Sequence, residues 1–186
     1  MRLIYLFFFK ILGWKIEGIP PRDLKKYIIV VAPHTSNWDF ILGLAVRSIQ
    51  RFPANFLGKS ELFRPPYGWI FRKLGGYPVD RKSSTNLVDQ IVSIAKKENQ
   101  FVVAIAPEGT RSHVDKWKTG FYHIALGAGI PIVMVSVDYP TKILTWSTPL
   151  TLSGNMEKDA LIIDKFFEGK RGRNRLAAKM LGSYFN

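Results

Sequence analysis

Three short, unbroken apolar runs, Tyr27–Ala32, Phe101–Ala106 and Ile132–Val137, constrain this chain more than any other feature. They are rich in β-branched residues, short for helices, and do not alternate apolar with polar. Such runs read as strands covered on both faces, the situation of central strands in a parallel sheet. Helical patterns lie between them. In Trp38–Arg51, Phe40, Ile41, Leu44, Ala45 and Ile49 recur every three or four residues; in Ser84–Glu98, Leu87, Val88, Ile91, Ile94 and Ala95 do the same. Shorter signals predict strands at Asn55–Gly58 and Tyr77–Val79 and helices over Tyr67–Leu74 and Phe121–Ala128. Ile143–Leu152 reads as one or two outer strands, and Met156–Phe167 and Arg173–Phe185 as terminal helices. This alternation predicts an α/β fold: one layered domain over residues 16–186, with a mostly parallel central sheet flanked by helices. A chain of 186 residues supports one such core without a second domain.

Residues 1–15 stand apart as an expected amphipathic membrane-contact helix. Leu3 to Phe9 is continuously apolar, Lys10 interrupts, and Ile11, Leu12 and Trp14 follow. The stretch is shorter than the ~20 apolar residues that a spanning helix needs. No small-residue cleavage site follows it. Two arrangements stay open: a helix in the headgroup region of a bilayer, or one packed on the domain core. Three consecutive phenylalanines cannot all face one core, which favours the bilayer. The chain carries 27 Lys and Arg against 14 Asp and Glu, a formal charge of +13. Such a surplus implies an anionic partner: nucleic acid, an anionic membrane surface, or phosphorylated substrates. The densest cluster is Lys170, Arg171, Arg173, Arg175 and Lys179, where a solvated helix face is an equally good reading. No nucleic-acid recognition motif accompanies the charge, so no nucleic-acid partner is expected.

In α/β folds, sites form where loops leave the strand ends. The loop after the first apolar run reads Pro33-His34-Thr35-Ser36-Asn37-Trp38-Asp39. A carboxylate that accepts a hydrogen bond from one imidazole nitrogen fixes the tautomer and leaves the other nitrogen as a base. Asp39, in the first turn of the next helix, can do this for His34; a capping Asp beside an unrelated His is the plainer reading of the spacing alone. A second loop, Gly75 through Lys82, offers glycines for close backbone approach and Arg81 as a phosphate fork. A third, Ala106 through Ser112, sets Glu108 and Arg111 around Gly109 and Thr110, with Lys116 and Lys118 following. Other chemistries fail. There is no cysteine. No Gly-x-Ser-x-Gly elbow occurs, so Ser36, Ser60 and Ser112 are poor nucleophiles. Pro53 stands where a phosphate loop ending in Gly58-Lys59-Ser60 needs its first glycine. No histidine pair has metal-ligand spacing, so no metal is expected.

Taken in order, these loops resemble the glycerophospholipid acyltransferase family, the PlsC-like group that makes phosphatidic acid. Its first motif is His, four residues, Asp, which His34 and Asp39 match, with Ser36 between. Its second is a glycine-containing segment ending in Arg, matched by Gly76 through Arg81. Its third, Glu-Gly-Thr/Ser-Arg, is matched by Glu108-Gly109-Thr110-Arg111, and its fourth, a Pro in an apolar strand, by Ile130-Pro131-Ile132-Val133. Pro33 replaces the Asn that commonly precedes the His, and Met134 stands where a second Pro is frequent. The resemblance implies a transfer of a fatty acyl group from acyl-CoA or acyl-carrier protein to 1-acylglycerol-3-phosphate. These donors are co-substrates, and no cofactor is implied. His34 would be the base and Asp39 its orienting partner. Arg81 and Arg111 would hold phosphate, aided by Lys118, and Glu108 and Gly109 would shape the acceptor site. The hydroxyl would attack the thioester directly, with no acyl-enzyme. The expected partners are a lipid substrate, an anionic membrane surface on its cytoplasmic face, and acyl-carrier protein as one of the two donors. Two rivals stay open: the same chemistry on a non-phosphate lipid acceptor, and a non-catalytic module binding anionic lipid or nucleic acid.

Overall fold

The computed structural model describes residues 2–79, 84–112 and 114–174. The elements are α1 (Arg2–Ile11), β1 (Lys15–Glu17), β2 (Lys26–Ala32), α2 (Trp38–Gln50) and β3 (Asn55–Lys59), then a 3-10 turn (Ser60–Phe63), α3 (Gly68–Lys73) and β4 (Gly76–Val79). There follow α4 (Ser84–Lys97), β5 (Phe101–Ile105), α5 (Gly120–Ala128), β6 (Ile132–Asp138), β7 (Ile143–Trp146) and α6 (Met156–Phe167). The strands form one sheet in the order β1-β7-β6-β2-β5-β3-β4. Neighbours run parallel except β6 and β7. The expected α/β architecture is the one observed.

The three apolar runs are the three central strands. β2 pairs with β5 from Lys26↔Phe101 to Val30↔Ile105, and with β6 from Ile28↔Ile132 to Ala32↔Ser136. Ile28, Val30 and Ala32 face a core completed by Ile91 of α4, Phe121 and Ile124 of α5, and Ile163 of α6. Tyr27 and Ile29 face the other core, with Phe9 of α1 and Leu42 and Val46 of α2. Both faces of β2 are therefore covered, which explains why its sequence does not alternate. Burying one such aliphatic side chain stabilises the fold by roughly 1.5–3 kcal/mol, so a charge at Val30 would unseat the whole sheet.

β1 was not legible as a strand: it has three residues, two of them charged, and among the described residues it pairs with β7 alone. Lys15, the last residue of the expected N-terminal segment, is its first residue. α1 packs one side on the domain core and leaves the other exposed. Phe9 is buried in the core while Leu3, Phe7, Phe8 and Ile11 are exposed. Among the described residues no helix is long and apolar enough to cross a membrane. The helix expected over Arg173–Phe185 lies, from residue 175 onward, outside the described residues. Arg171 to Asn174 form a strap that returns to the loop after β2.

Candidate active site

β2 ends at Ala32, and Pro33, which has no N–H to continue the ladder, turns the chain towards α2. The loop is organised by Asp39. Its Oδ2 accepts the backbone N–H groups of Thr35 and Ser36, each at 2.8 Å, and lies 3.1 Å from His34 Nδ1. Its Oδ1 accepts the hydroxyl of Tyr139 at 2.6 Å. Ser36 Oγ accepts the N–H of Trp38 at the start of α2, which gives this serine a capping role. Asp39 is also in the first turn of α2, where the helix dipole favours an anion. Burial alone would raise its pKa. Hydrogen bonds from His34, Tyr139, Ser36 and Thr35 outweigh that, and the carboxyl lies below its ordinary value. The carboxylate is thus held charged, with one oxygen on His34 Nδ1. The His34 ring is partly open to solvent, and its Nε2 is the nitrogen left for chemistry.

A second loop braces the first. The backbone N–H of His34 donates to Glu108 Oε2 at 2.6 Å, and Glu108 is buried. Gly109 adopts φ +67°, in the left-handed region that favours glycine. A Cβ there would meet the side chain of Lys118 at 3.1 Å, and Lys118 N–H donates to Pro107 O at 2.9 Å. The Glu108–Arg111 motif and Lys118 are therefore neighbours.

These loops open into a cavity of about 1470 Å³ lined by His34, Asp39, Gly109, Thr110, Arg111 and Lys118. The rest of its lining is largely apolar and includes Phe40, Phe56, Leu87, Val88 and Phe121. A volume above the usual ~300–1,000 Å³ of small-molecule sites has room for a charged head and an alkyl chain. Glu108 is not one of its walls, because its carboxylate is turned towards His34 N–H. Lys59, the last residue of β3, adds a cation that motif reading passed over. Arg81 lies outside the described residues. Among those residues no group of three or more His, Cys, Asp or Glu side chains gathers as a metal site. Tyr139, the other residue missed, is 100 positions from Asp39 in sequence. Its one signal is its place, directly after a central strand and at the same end of the sheet as His34.

A family model described as Acyltransferase matches residues 14–138. The 1-acyl-sn-glycerol-3-phosphate acyltransferase of Escherichia coli is 31% identical over 134 residues, which are 68% of this chain and 54% of that protein. The protein of the same name from Streptococcus pneumoniae is 29% identical over 160 residues, 80% of this chain and 55% of that one. The chain thus spans about half the length of the curated relatives it matches. The crystal structure of the 1-acyl-sn-glycerophosphate acyltransferase PlsC from Thermotoga maritima superposes with a TM-score of 0.61 at 20% identity. That match covers 88% of this chain and 74% of the other, a likeness of fold.

Proposed function

Because this chain belongs to the acyltransferase family, we propose that it moves a fatty acyl group from a thioester, acyl-CoA or acyl-carrier protein, to 1-acylglycerol-3-phosphate, giving phosphatidic acid. The observation that carries this reading is His34 Nδ1 at 3.1 Å from Asp39 Oδ2 in the wall of a mostly apolar cavity that Arg111 and Lys118 also line. His34 Nε2 takes the proton of the acceptor hydroxyl as its oxygen attacks the thioester carbonyl. The tetrahedral intermediate collapses with loss of the thiol carrier, which leaves with the proton held on His34. Asp39 stabilises the imidazolium between the two transfers. Arg111 and Lys118 hold the acceptor phosphate, with Arg81 as their expected third member, and the alkyl chains take the apolar walls.

The enzyme works as a peripheral protein on the cytoplasmic face of a membrane. The exposed apolar side of α1 and the charge of +13 support this. The test is transfer of label from acyl-CoA and acyl-carrier protein to a panel of lipid acceptors. His34→Ala should lose turnover while keeping its thermal transition. A folded, fully active variant would remove the base from the mechanism. If Arg111→Ala and Lys118→Ala leave the KM for 1-acylglycerol-3-phosphate unchanged, the acceptor phosphate is held elsewhere.

A further inference from the structure

Asp39 is fixed from two sides, and only one of them belongs to the loop that carries His34. Oδ2 serves His34 and the two loop amides. Oδ1 takes one hydrogen bond in the described structure, from the Tyr139 hydroxyl at 2.6 Å. Tyr139 follows β6 directly, beyond the stretch that the family model matches. Its ring packs edge-on against Trp14 at 5.1 Å. Burial, then the Asp39 carboxylate beside it, pushes the phenol pKa well above its ordinary value, against a smaller opposing pull from Arg173. The hydroxyl therefore remains a donor at working pH.

The backbone of Tyr139 is held in turn. Its N–H donates to Arg171 O at 2.9 Å, and Arg171 N–H donates to Asp138 Oδ1 at 2.9 Å. Thr141 closes the same carboxylate from the other side. The strap then runs on to the His34 loop. Gly172 is packed so closely that a Cβ would come within 2.4 Å of Thr35 Oγ1, and Asn174 Nδ2 donates to Thr35 O at 3.1 Å. One segment thus grips both the residue that holds Asp39 and the loop that Asp39 organises.

We propose that Tyr139 is a positioning residue for acyl transfer, fixing the free oxygen of Asp39 so that the other stays on His34, with the Arg171–Asn174 strap holding it in place. The proposal rests on reading His34 and Asp39 as the base pair. Removing the hydroxyl leaves the three bonds to Oδ2 intact, so the pair is loosened and not abolished.

The test is Tyr139→Phe, assayed with acyl-CoA and 1-acylglycerol-3-phosphate. Its kcat should fall by about tenfold, the weight of one hydrogen bond to a charged group, with both KM values unchanged. Without that donor the pair takes its proton more readily, so the acid limb of kcat against pH should move to higher pH. In an Asp39→Asn background the same change should add nothing, because its route is through Asp39. Unchanged kcat and pH profile in a folded Tyr139→Phe protein would overturn the proposal. So would a raised KM with kcat intact, which would put Tyr139 on the substrate, or full additivity with Asp39→Asn. His34→Ala, run in parallel, separates the two readings. If it is inactive while Tyr139→Phe is normal, only the positioning role fails; if it is active, the base pair itself falls and the positioning role with it.

Discussion

At the scale of single residues, the site turns on a carboxylate that is buried and yet charged. Asp39 has donors enough to offset its desolvation, and each donor has its own duty: two amides shape the loop, His34 receives its tautomer, and Tyr139 fixes the carboxylate's rotation. Asp39→Asn keeps the shape but sets an NH2 group against donors. Acyl transfer should fall by about 10²- to 10⁴-fold, the range set by wrong-tautomer substitutions at comparable sites, as read by initial rates. The variant should also lose about 1–3 kcal/mol at neutral pH from the mismatched buried bonds. The sign of the pH dependence follows from the direction of the shift. A carboxyl with a lower pKa folded than unfolded stabilises the fold above its unfolded value, here 3.8, and this is lost as the pH falls through the lower folded value. Denaturant titrations of both proteins should therefore diverge fully above about pH 4 and converge below it. His34 and Asp39 were legible because they lie close in sequence and open a series of motifs that follow in order. Tyr139 was not, because no local pattern marks a partner that arrives from another strand.

Between elements, glycines and one buried glutamate decide how the loops meet. The Gly75-Gly76 pair reads in sequence as a helix stop with backbone room for phosphate. Gly75 does end the helical segment, at φ +89°. Gly76 instead makes room for two aromatic rings, since a Cβ there would sit 2.7 Å from the Phe63 ring and 2.9 Å from that of Phe56. Gly76→Ala should cost about 1–3 kcal/mol by overpacking, seen as a lower midpoint in urea; an unchanged midpoint would mean the rings move aside freely. Glu108 follows the same logic. The resemblance implies that it shapes the acceptor site; in the structure its Oε2 accepts the His34 N–H and so braces the His34 loop. Glu108→Gln retains an acceptor oxygen, so it should keep far more activity than Glu108→Ala in the same transfer assay. The strands themselves were legible because β2, β5 and β6 are covered on both faces and hence apolar throughout. β1 and the strap were not, because each is held by backbone hydrogen bonds that place almost no demand on residue type.

Across the whole molecule, α2 joins the His34 loop to a surface rich in exposed apolar side chains. Arg2 of α1 donates to Ile49 O at one end of α2, and Arg47 of α2 donates to Leu74 O just after α3, so the three helices are neighbours. Each exposes large apolar side chains: Phe7 and Phe8 on α1, Trp38 and Ile41 on α2, and Trp69 and Ile70 on α3, with Tyr67 just before it. Arg64, Arg72 and Lys73 flank the α3 group, a mixture of aromatic and basic residues that suits a headgroup layer. Near an anionic surface each basic residue contributes about 1 kcal/mol. If all three helices meet the bilayer, the His34 loop, which opens into α2, is brought to the surface from which a lipid acceptor enters. Phe7→Glu and Trp69→Glu should then each reduce co-sedimentation with anionic vesicles, and the pair should reduce it further. Turnover of a short-chain, monomeric acceptor should stay near that of the unaltered protein, since neither residue lines the cavity. Loss of vesicle binding with Phe7→Glu alone would confine the contact to α1 and leave α3 facing water.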